Sequence, residues 1–219
     1  MDRKLFSVII PVFESGPKIE KTVRSVLSQD ENLFELIVMD GGSTDDTLSA
    51  VEKYAGRIKL VSESDGGVYH AMNKGVELAG GKYLYFLGAG DSLREGVLAK
   101  VAGRLPAGDL ALVYGNVYMV DRGLVYDGAF DTAKLRKRNI SHQSIFYERS
   151  IFDVMGGYEP RFKVLADHAF NLKCFWNNRI RKEYIAYVVA NFEGGGVSDS
   201  EIDLDFAQEY AELMSIGEA

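Results

Sequence analysis

Over about its first ninety residues the chain switches repeatedly between short apolar runs and amphipathic helical stretches, and this alternation limits the folds open to it. Residues 6–10 form an apolar run that stops at Pro11, the pattern of a strand buried on both faces. Ile19, Val23, Val26 and Leu27 then recur at helical spacing, which predicts an amphipathic helix over 17–29 with Lys18, Lys21 and Arg24 off the apolar stripe. Further strands are expected at 34–39, 58–61 and 83–87. Between them, Ser43 is expected to cap a helix carrying Asp45 and Asp46 in its first turn, and Val68, Ala71, Met72, Val76 and Ala79 stripe another. Strand and helix in strict alternation imply an α/β fold with a mostly parallel sheet and helices on both faces.

The second half is more mixed. Strands are expected at 110–114 and 145–147, and 117–120 should pair with 124–126 across Asp121-Arg122-Gly123. A short helix at 150–155 ends at Gly156-Gly157, a longer one covers 167–177, and a strand covers 184–189. Ile202, Phe206, Tyr210 and Leu213 stripe a last helix. There is no internal repeat, and 219 residues with 47% hydrophobic content suit one well-buried domain.

A formal net charge of −7 removes a global basic field, so no nucleic-acid partner is expected and phosphate binding must be local. The single cysteine, Cys174, has Ala169, Leu172 and Trp176 around it and reads as a core thiol in a reducing compartment. The N-terminal residues lack a secretory signal pattern, and no apolar run approaches the ~20 residues that span a bilayer. The expected setting is the cytoplasm, with at most peripheral contact at the inner face of the membrane.

In an open parallel sheet, ligands bind beyond the carboxyl ends of the strands. Four turns fall there: Pro11-Val-Phe-Glu14, Asp40-Gly-Gly-Ser-Thr-Asp45, Glu63-Ser-Asp-Gly-Gly67 and Gly88-Ala-Gly-Asp91. Asp and Gly are ordinary turn residues, but four such turns on one edge point to a ligand cleft. Gly88 and Gly90 make only half of a dinucleotide fingerprint, because Leu93 stands where its third glycine belongs.

These segments resemble the family 2 glycosyltransferases. Phe6-Ser-Val-Ile-Ile-Pro-Val-Phe13 is similar to that family's opening strand, and Ile37-Val-Met-Asp-Gly-Gly-Ser-Thr-Asp-Asp-Thr47 to its signature V-D-D-G-S-T-D-x-T. Asp65-Gly-Gly-Val-Tyr-His-Ala-Met-Asn-Lys-Gly75 resembles a subgroup version of its third block. Gly156-Gly-Tyr-Glu-Pro-Arg-Phe162, followed by Asp167, resembles the approach to its catalytic acid. The likeness runs from about residue 6 to residue 199. It implies the GT-A type of fold, a Rossmann-like, mostly parallel sheet flanked by helices with a mixed acceptor-side C-terminal half. It also implies a single domain, 1–219, with a nucleotide-sugar-binding half at 1–92 and an acceptor-binding half at 93–219.

By that resemblance Asp40 contacts the donor's base, where a carboxylate can accept the ring N–H of a uracil-like base. Its removal is expected to weaken donor binding and leave the fold intact. Pro11, Phe13, Glu14, Asp65, Asn73 and Gly90 fall in the same donor pocket. Asp91 matches the last carboxylate of the family's D-x-D metal motif, whose first carboxylate is missing here, and implies Mg²⁺ or Mn²⁺ held jointly with the donor's diphosphate. The bland reading of Asp91 is a cap for a helix starting near Arg94. Asp167 matches the catalytic base and could equally cap its helix; Leu165-Ala166 precede it where the family usually has Glu. His142, Gln143 and Arg138 are candidate acceptor or phosphate contacts. The basic run Lys134, Arg136, Lys137 and Arg138 reads either as a diphosphate clamp or as a solvated helix face. Gly194-Gly-Gly-Val-Ser198 resembles a late loop able to close over the site.

Three functions remain open at this level. One is an inverting transferase moving one sugar from a nucleotide-sugar donor, a UDP-sugar above all, to a saccharide or lipid-linked acceptor. Another is a nucleotide-sugar-binding protein without catalysis, and the third a nucleotidyltransferase, which lacks the Gly-rich basic loop it would need after strand one. The Gln-x-x-Arg-Trp motif of processive synthases is absent.

Overall fold

The computed structural model describes residues 3–108, 110–194, 205, 206 and 210. The chain begins β1 (Phe6–Val12), α1 (Lys18–Leu27), β2 (Phe34–Asp40), α2 (Thr47–Glu52), β3 (Lys59–Ser62), α3 (Val68–Leu78), β4 (Tyr83–Phe86). It continues with β5 (Ser92–Leu93), α4 (Val97–Ala102), β6 (Ala111–Met119), β7 (Leu124–Tyr126), α5 (Thr132–Lys137) and a 3-10 turn at His142–Ser144. It then runs through β8 (Ile145–Glu148), α6 (Ser150–Met155), α7 (Ala166–Trp176) and β9 (Arg181–Phe192).

The strands of the described residues form one nine-stranded sheet in the order β3-β2-β1-β4-β8-β6-β9-β5, with β7 beside β6. The first four strands are parallel, as the alternating pattern requires. Beyond β4 the sheet is mixed: β8 is antiparallel to β4 and β6, β9 is parallel to β6, and β5 is antiparallel to β9. The parallel register brings Val12, Asp40 and Ser62 level at the carboxyl edge.

Side chains alternate between two cores, because successive residues of a strand face opposite sides. From β1, Phe6, Val8, Ile10 and Val12 join Ile19, Val23 and Val26 of α1. Ile9 joins Tyr69, Ala71 and Met72 of α3 on the other face. Strands buried on both sides read as unbroken apolar runs, and this made them visible in the sequence. Gly75 lets α3 lie close on the sheet, since a Cβ there would sit 2.5 Å from Ile9 Cγ2.

Several expectations are corrected. Pro11 does not stop the first strand; it lies within β1, paired with Met39. It is tolerated because Ile9 is the last residue of β1 paired with β4, so a proline N has no ladder bond to lose on that side. The segments expected at 110–114 and 117–120 are one strand, β6, whose two ends pair with β8 and β7 respectively. Ser43 is not a helix cap: α2 starts at Thr47, and Asp45 accepts the Thr47 N–H at 3.0 Å. Asp91 caps no helix, for α4 begins at Val97 after Gly96. Asp167 lies inside the first turn of α7, one residue past its start, with Leu165 at the N-cap position. The helix expected around Ile202 to Leu213 and the loop Gly194-Gly-Gly-Val-Ser198 lie largely outside the described residues.

Candidate active site

The first two turns of the carboxyl edge are stapled together by the hydroxyls of the second. Ser43 Oγ accepts the Glu14 N–H at 2.8 Å, and Thr47 Oγ1 accepts those of Ser15 and Gly16, both at 2.9 Å. Asp45 also takes the Gly16 N–H at 2.8 Å, and Thr44 Oγ1 donates to Glu14 Oε1 at 2.8 Å. Glu14 is thereby held at φ +45°, a left-handed conformation that costs a non-glycine residue about 1–3 kcal/mol and persists only under such restraint. Next to it Phe13 is 63% exposed, a large aromatic face left open at the carboxyl edge of the sheet.

Asp40 is buried at the end of β2. Its Oδ2 accepts the Gly42 and Ser43 N–H groups at 3.1 and 3.0 Å and the Ser62 hydroxyl at 2.6 Å, leaving Oδ1 with one long contact of 3.3 Å from Ser43 N. One oxygen shapes the turn while the other retains acceptor capacity for a ligand N–H. Beside it Gly41, standing where the signature quoted above has a second aspartate, makes room for Asp65. A Cβ at Gly41 would lie 3.3 Å from both Asp65 Oδ2 and the Phe13 ring. Asp40, Asp65, Glu14 and Phe13 therefore cluster, whereas Asn73 does not join them by its side chain. Both ends of its amide clamp the Tyr158 backbone, at 2.8 and 2.9 Å.

Asp91 follows Gly90, whose φ of +103° suits glycine. The carboxylate is 6% exposed and accepts Gln143 Nε2 at 2.7 Å on Oδ2 and the Glu193 N–H at 2.9 Å on Oδ1. Burial pushes its pKa up, against the opposing pull of those two donors and of His142. It forms no ion pair with Lys or Arg among the described residues.

Asp167 is buried too. Its Oδ1 accepts the His168 N–H at 2.8 Å and lies 3.0 Å from the Tyr69 hydroxyl, which shares its proton with the Val164 carbonyl at 2.6 Å; its Oδ2 accepts Asn139 Nδ2 at 2.9 Å. Behind Asn139, Asn171 Nδ2 donates to Asn139 Oδ1 at 2.9 Å, and the Tyr147 hydroxyl donates to Asn171 Oδ1 at 2.7 Å. This chain fixes Asn139 with its amine toward the carboxylate. Burial and the Asp167 charge hold the Tyr69 hydroxyl well above the usual phenol range, so Tyr69 stays a neutral partner.

The two carboxylates meet at the 3-10 turn. His142 Nδ1 lies 3.6 Å from Asp167 Oδ2, while the next residue, Gln143, holds Asp91. Ser141 Oγ donates to Gln143 Oε1 at 2.6 Å and the Tyr85 hydroxyl to Gln143 O at 2.7 Å, so this turn is itself fixed. Arg138 stands apart, paired with Asp127 at 2.8 Å. Lys134 is likewise engaged, by Asp127 and by the Ala129 carbonyl at 2.9 Å, so these two members of the basic run tie down the loop before α5. A cleft of about 800 Å³ between α4 and β9, lined by Arg94, Lys100 and Tyr187, includes none of these carboxylates. Cys174 is buried in the core, its thiol pushed up to about 12 by desolvation, which fits a packing role.

Sequence reasoning did not find Tyr69, Asn139 or Ser62. Tyr69 and Asn139 hold Asp167 from segments about 100 and 30 residues away, and no local pattern carries such a contact. Ser62 was findable in principle, as the residue level with Asp40 on the neighbouring parallel strand.

Among the described residues no group of three or more His, Cys, Asp or Glu side chains is placed to hold a metal ion. Asp91, a buried carboxylate paired with neutral donors, has the chemistry to serve as one ligand of a cation brought by another group.

Comparison with known proteins places the chain in a family. The glycosyl transferase family 2 profile matches residues 7–168. A PGL/p-HBAD biosynthesis glycosyltransferase of Mycobacterium tuberculosis is 42% identical over 214 residues, covering 94% of this chain and 84% of the relative. A poly(ribitol-phosphate) beta-N-acetylglucosaminyltransferase of Staphylococcus aureus is 28% identical over 86% of this chain and 63% of its own length. Among solved structures, S. aureus TarS 1-349 with UDP-GlcNAc superposes with a TM-score of 0.74 at 21% identity, over 97% of this chain and 65% of that one. A mannosyltransferase from Pyrobaculum calidifontis with GDP-Man and Mn²⁺ gives 0.69 at 22% identity, over 88% and 57%. This chain thus spans less than two thirds of either solved chain, and both likenesses carry the fold. With the profile covering most of its length and a relative at 42% identity, the chain belongs to glycosyl transferase family 2 and is a glycosyltransferase.

Proposed function

We propose that this enzyme transfers one sugar, with inversion, from a nucleoside-diphosphate donor to a saccharide or lipid-linked acceptor in cell-surface glycan assembly. The observation that carries the proposal is the pair of buried carboxylates, Asp91 and Asp167, on either side of one turn, where Gln143 donates to Asp91 and His142 lies 3.6 Å from Asp167. Residues 1–92 supply the donor side and residues 93–219 most of the acceptor side. The names of the relatives support the glycan assignment. The open Oδ1 of Asp40 supports a base with an imide N–H, which the uracil of a UDP-sugar supplies. Among the described residues no helix is long and apolar enough to cross a membrane.

In the reaction the acceptor hydroxyl attacks the anomeric carbon from the face opposite the diphosphate. Its proton passes to Asp167 as the new C–O bond forms, and the bond to the diphosphate breaks with its electron pair on the leaving oxygen. Asn139 and Tyr69 hold the carboxylate in place, while Phe13, Asp40 and Asp65 hold the nucleoside. Mg²⁺ or Mn²⁺, with Asp91 as its protein ligand and the diphosphate supplying others, would neutralise charge on the leaving group.

Asp167→Asn tests this directly. Donor binding by calorimetry should persist while turnover falls by roughly 10²-fold or more. NMR of the product from an α-linked donor should show a β-linkage. A retained α-linkage, or near-normal turnover of the variant, would remove Asp167 as the base.

A further inference from the structure

α1 carries a polar stripe inside its buried face. Thr22 is fully buried beside Ile19, Val23 and Val26, Ser25 continues the line one turn on, and Gln29 follows just past the helix end. All three reach the segment 90–98 that follows β4. Thr22 Oγ1 accepts the Gly90 N–H at 2.8 Å and donates to the Asp91 carbonyl at 2.7 Å. Ser25 Oγ accepts the Leu93 N–H at 3.0 Å, and Gln29 binds the Arg94 carbonyl and the Leu98 N–H at 3.1 and 3.2 Å.

The Thr22 contact differs in kind from the other two. The Gly88–Asp91 turn is closed by Asp91 N–H on Gly88 O at 3.1 Å, which leaves the Gly90 N–H and the Asp91 carbonyl without a partner inside the turn. A single hydroxyl can serve both, donating once and accepting once. Packing alone would be met as well by valine, which has the same shape. From this geometry we infer that Thr22 is a positioning residue for the donor diphosphate: it fixes the backbone on both sides of the Asp91 Cα, while Gln143 and Glu193 N fix the carboxylate. Ser25 and Gln29 hold the loop beyond Asp91 and act on stability. The inference rests on the proposed donor-side role of Asp91.

Thr22→Val, Thr22→Ser and Ser25→Ala separate these roles. Both Thr22→Val and Ser25→Ala should lower the melting temperature. Only Thr22→Val should raise the donor KM and the half-activating Mn²⁺ concentration, by about 10-fold or more, because displacing a binding group by a fraction of an ångström is felt steeply. Thr22→Ser should restore both constants. An unchanged donor KM in Thr22→Val, or an equal rise in Ser25→Ala, overturns the inference. If Thr22→Val does not fold, Thr22→Cys, similar in shape but a weak hydrogen-bonding group, takes its place under the same two outcomes. Asp91→Ala checks the underlying role separately. An unchanged donor KM there refutes the donor-side reading of Asp91, whereas a raised one beside an unchanged Thr22→Val refutes the positioning role alone.

Discussion

Asp40→Ala should damage the fold as well as the donor pocket, contrary to what its place in a turn suggests. The carboxylate is 2% exposed and accepts the Gly42 and Ser43 N–H groups and the Ser62 hydroxyl. Hydrogen bonds to a charged group contribute roughly 1.5–3 kcal/mol each, but the three losses are unequal. Ser62 is exposed and its hydroxyl can turn to water. Gly42 is half-buried and partly rehydrates, while the buried contact at Ser43 N is left with no acceptor. Removing a buried charge also returns some desolvation free energy. The net loss should be about 2–4 kcal/mol, a large part of the ~5–15 kcal/mol that keeps a domain folded. With a urea dependence near 2 kcal/mol per molar, the unfolding midpoint should fall by about 1–2 M. Asp40→Asn keeps one acceptor and should lose about half as much. Urea titrations followed by circular dichroism measure this, and calorimetry below the transition then reads donor affinity on folded protein only. An Asp40→Ala midpoint within 0.3 M of wild type, taken as roughly the resolution of such a titration, would show that the carboxylate does not hold the turn. Unaltered donor affinity in the folded variant would remove Asp40 from the pocket.

Gly75→Ala should destabilise by about 1–3 kcal/mol through overpacking, read as a lowered thermal midpoint, since its Cβ would fall 2.5 Å from Ile9 Cγ2. The pKa of Asp91 is raised in the folded state, so the protonated form is favoured by folding. Its contribution to stability is then present in acid and lost as pH rises above the carboxylate's ordinary value near 3.8. Asp91→Asn, measured in EDTA, should accordingly be more stable than wild type near neutral pH, with the difference shrinking toward pH 4, the lower end of that window; a constant difference across this range would contradict the sign. Cys174 should resist a thiol-specific disulfide reagent until urea unfolds the chain, because its buried thiol titrates only near 12. Rapid labelling of native protein would place it nearer the surface.

Periodicity carried the first half of the fold well, because strands buried on both faces and one-sided helices leave unambiguous patterns. It failed where the signal is not local. Nothing near Ile145 says that β8 belongs beside β4, or that β6 runs on past Gly115 and Asn116. At the site, Asp40, Asp91 and Asp167 were visible as carboxylates placed after strands or near a helix start. Their partners were not: Gln143 on Asp91 and Asn139 on Asp167 are contacts made only by the folded sheet. Thr22 was hidden differently, since a threonine within an apolar stripe passes for a core residue.

The insertion of β8 next to β4 has a consequence for how the chain comes to be made. β4 pairs on one side with β1 and on the other only with residues 146–148, synthesised some sixty residues later. Until then the Tyr85 and Phe6 rings lack Phe146, which stacks on one at 4.7 Å and packs edge-on against the other at 5.4 Å. A nascent chain ending at residue 92 would therefore expose an open, aromatic strand edge, the kind of edge that recruits other strands. The first four strands would form a stable body only after the antiparallel segment emerges and closes them, so a fragment cut at the halfway point should aggregate instead of folding.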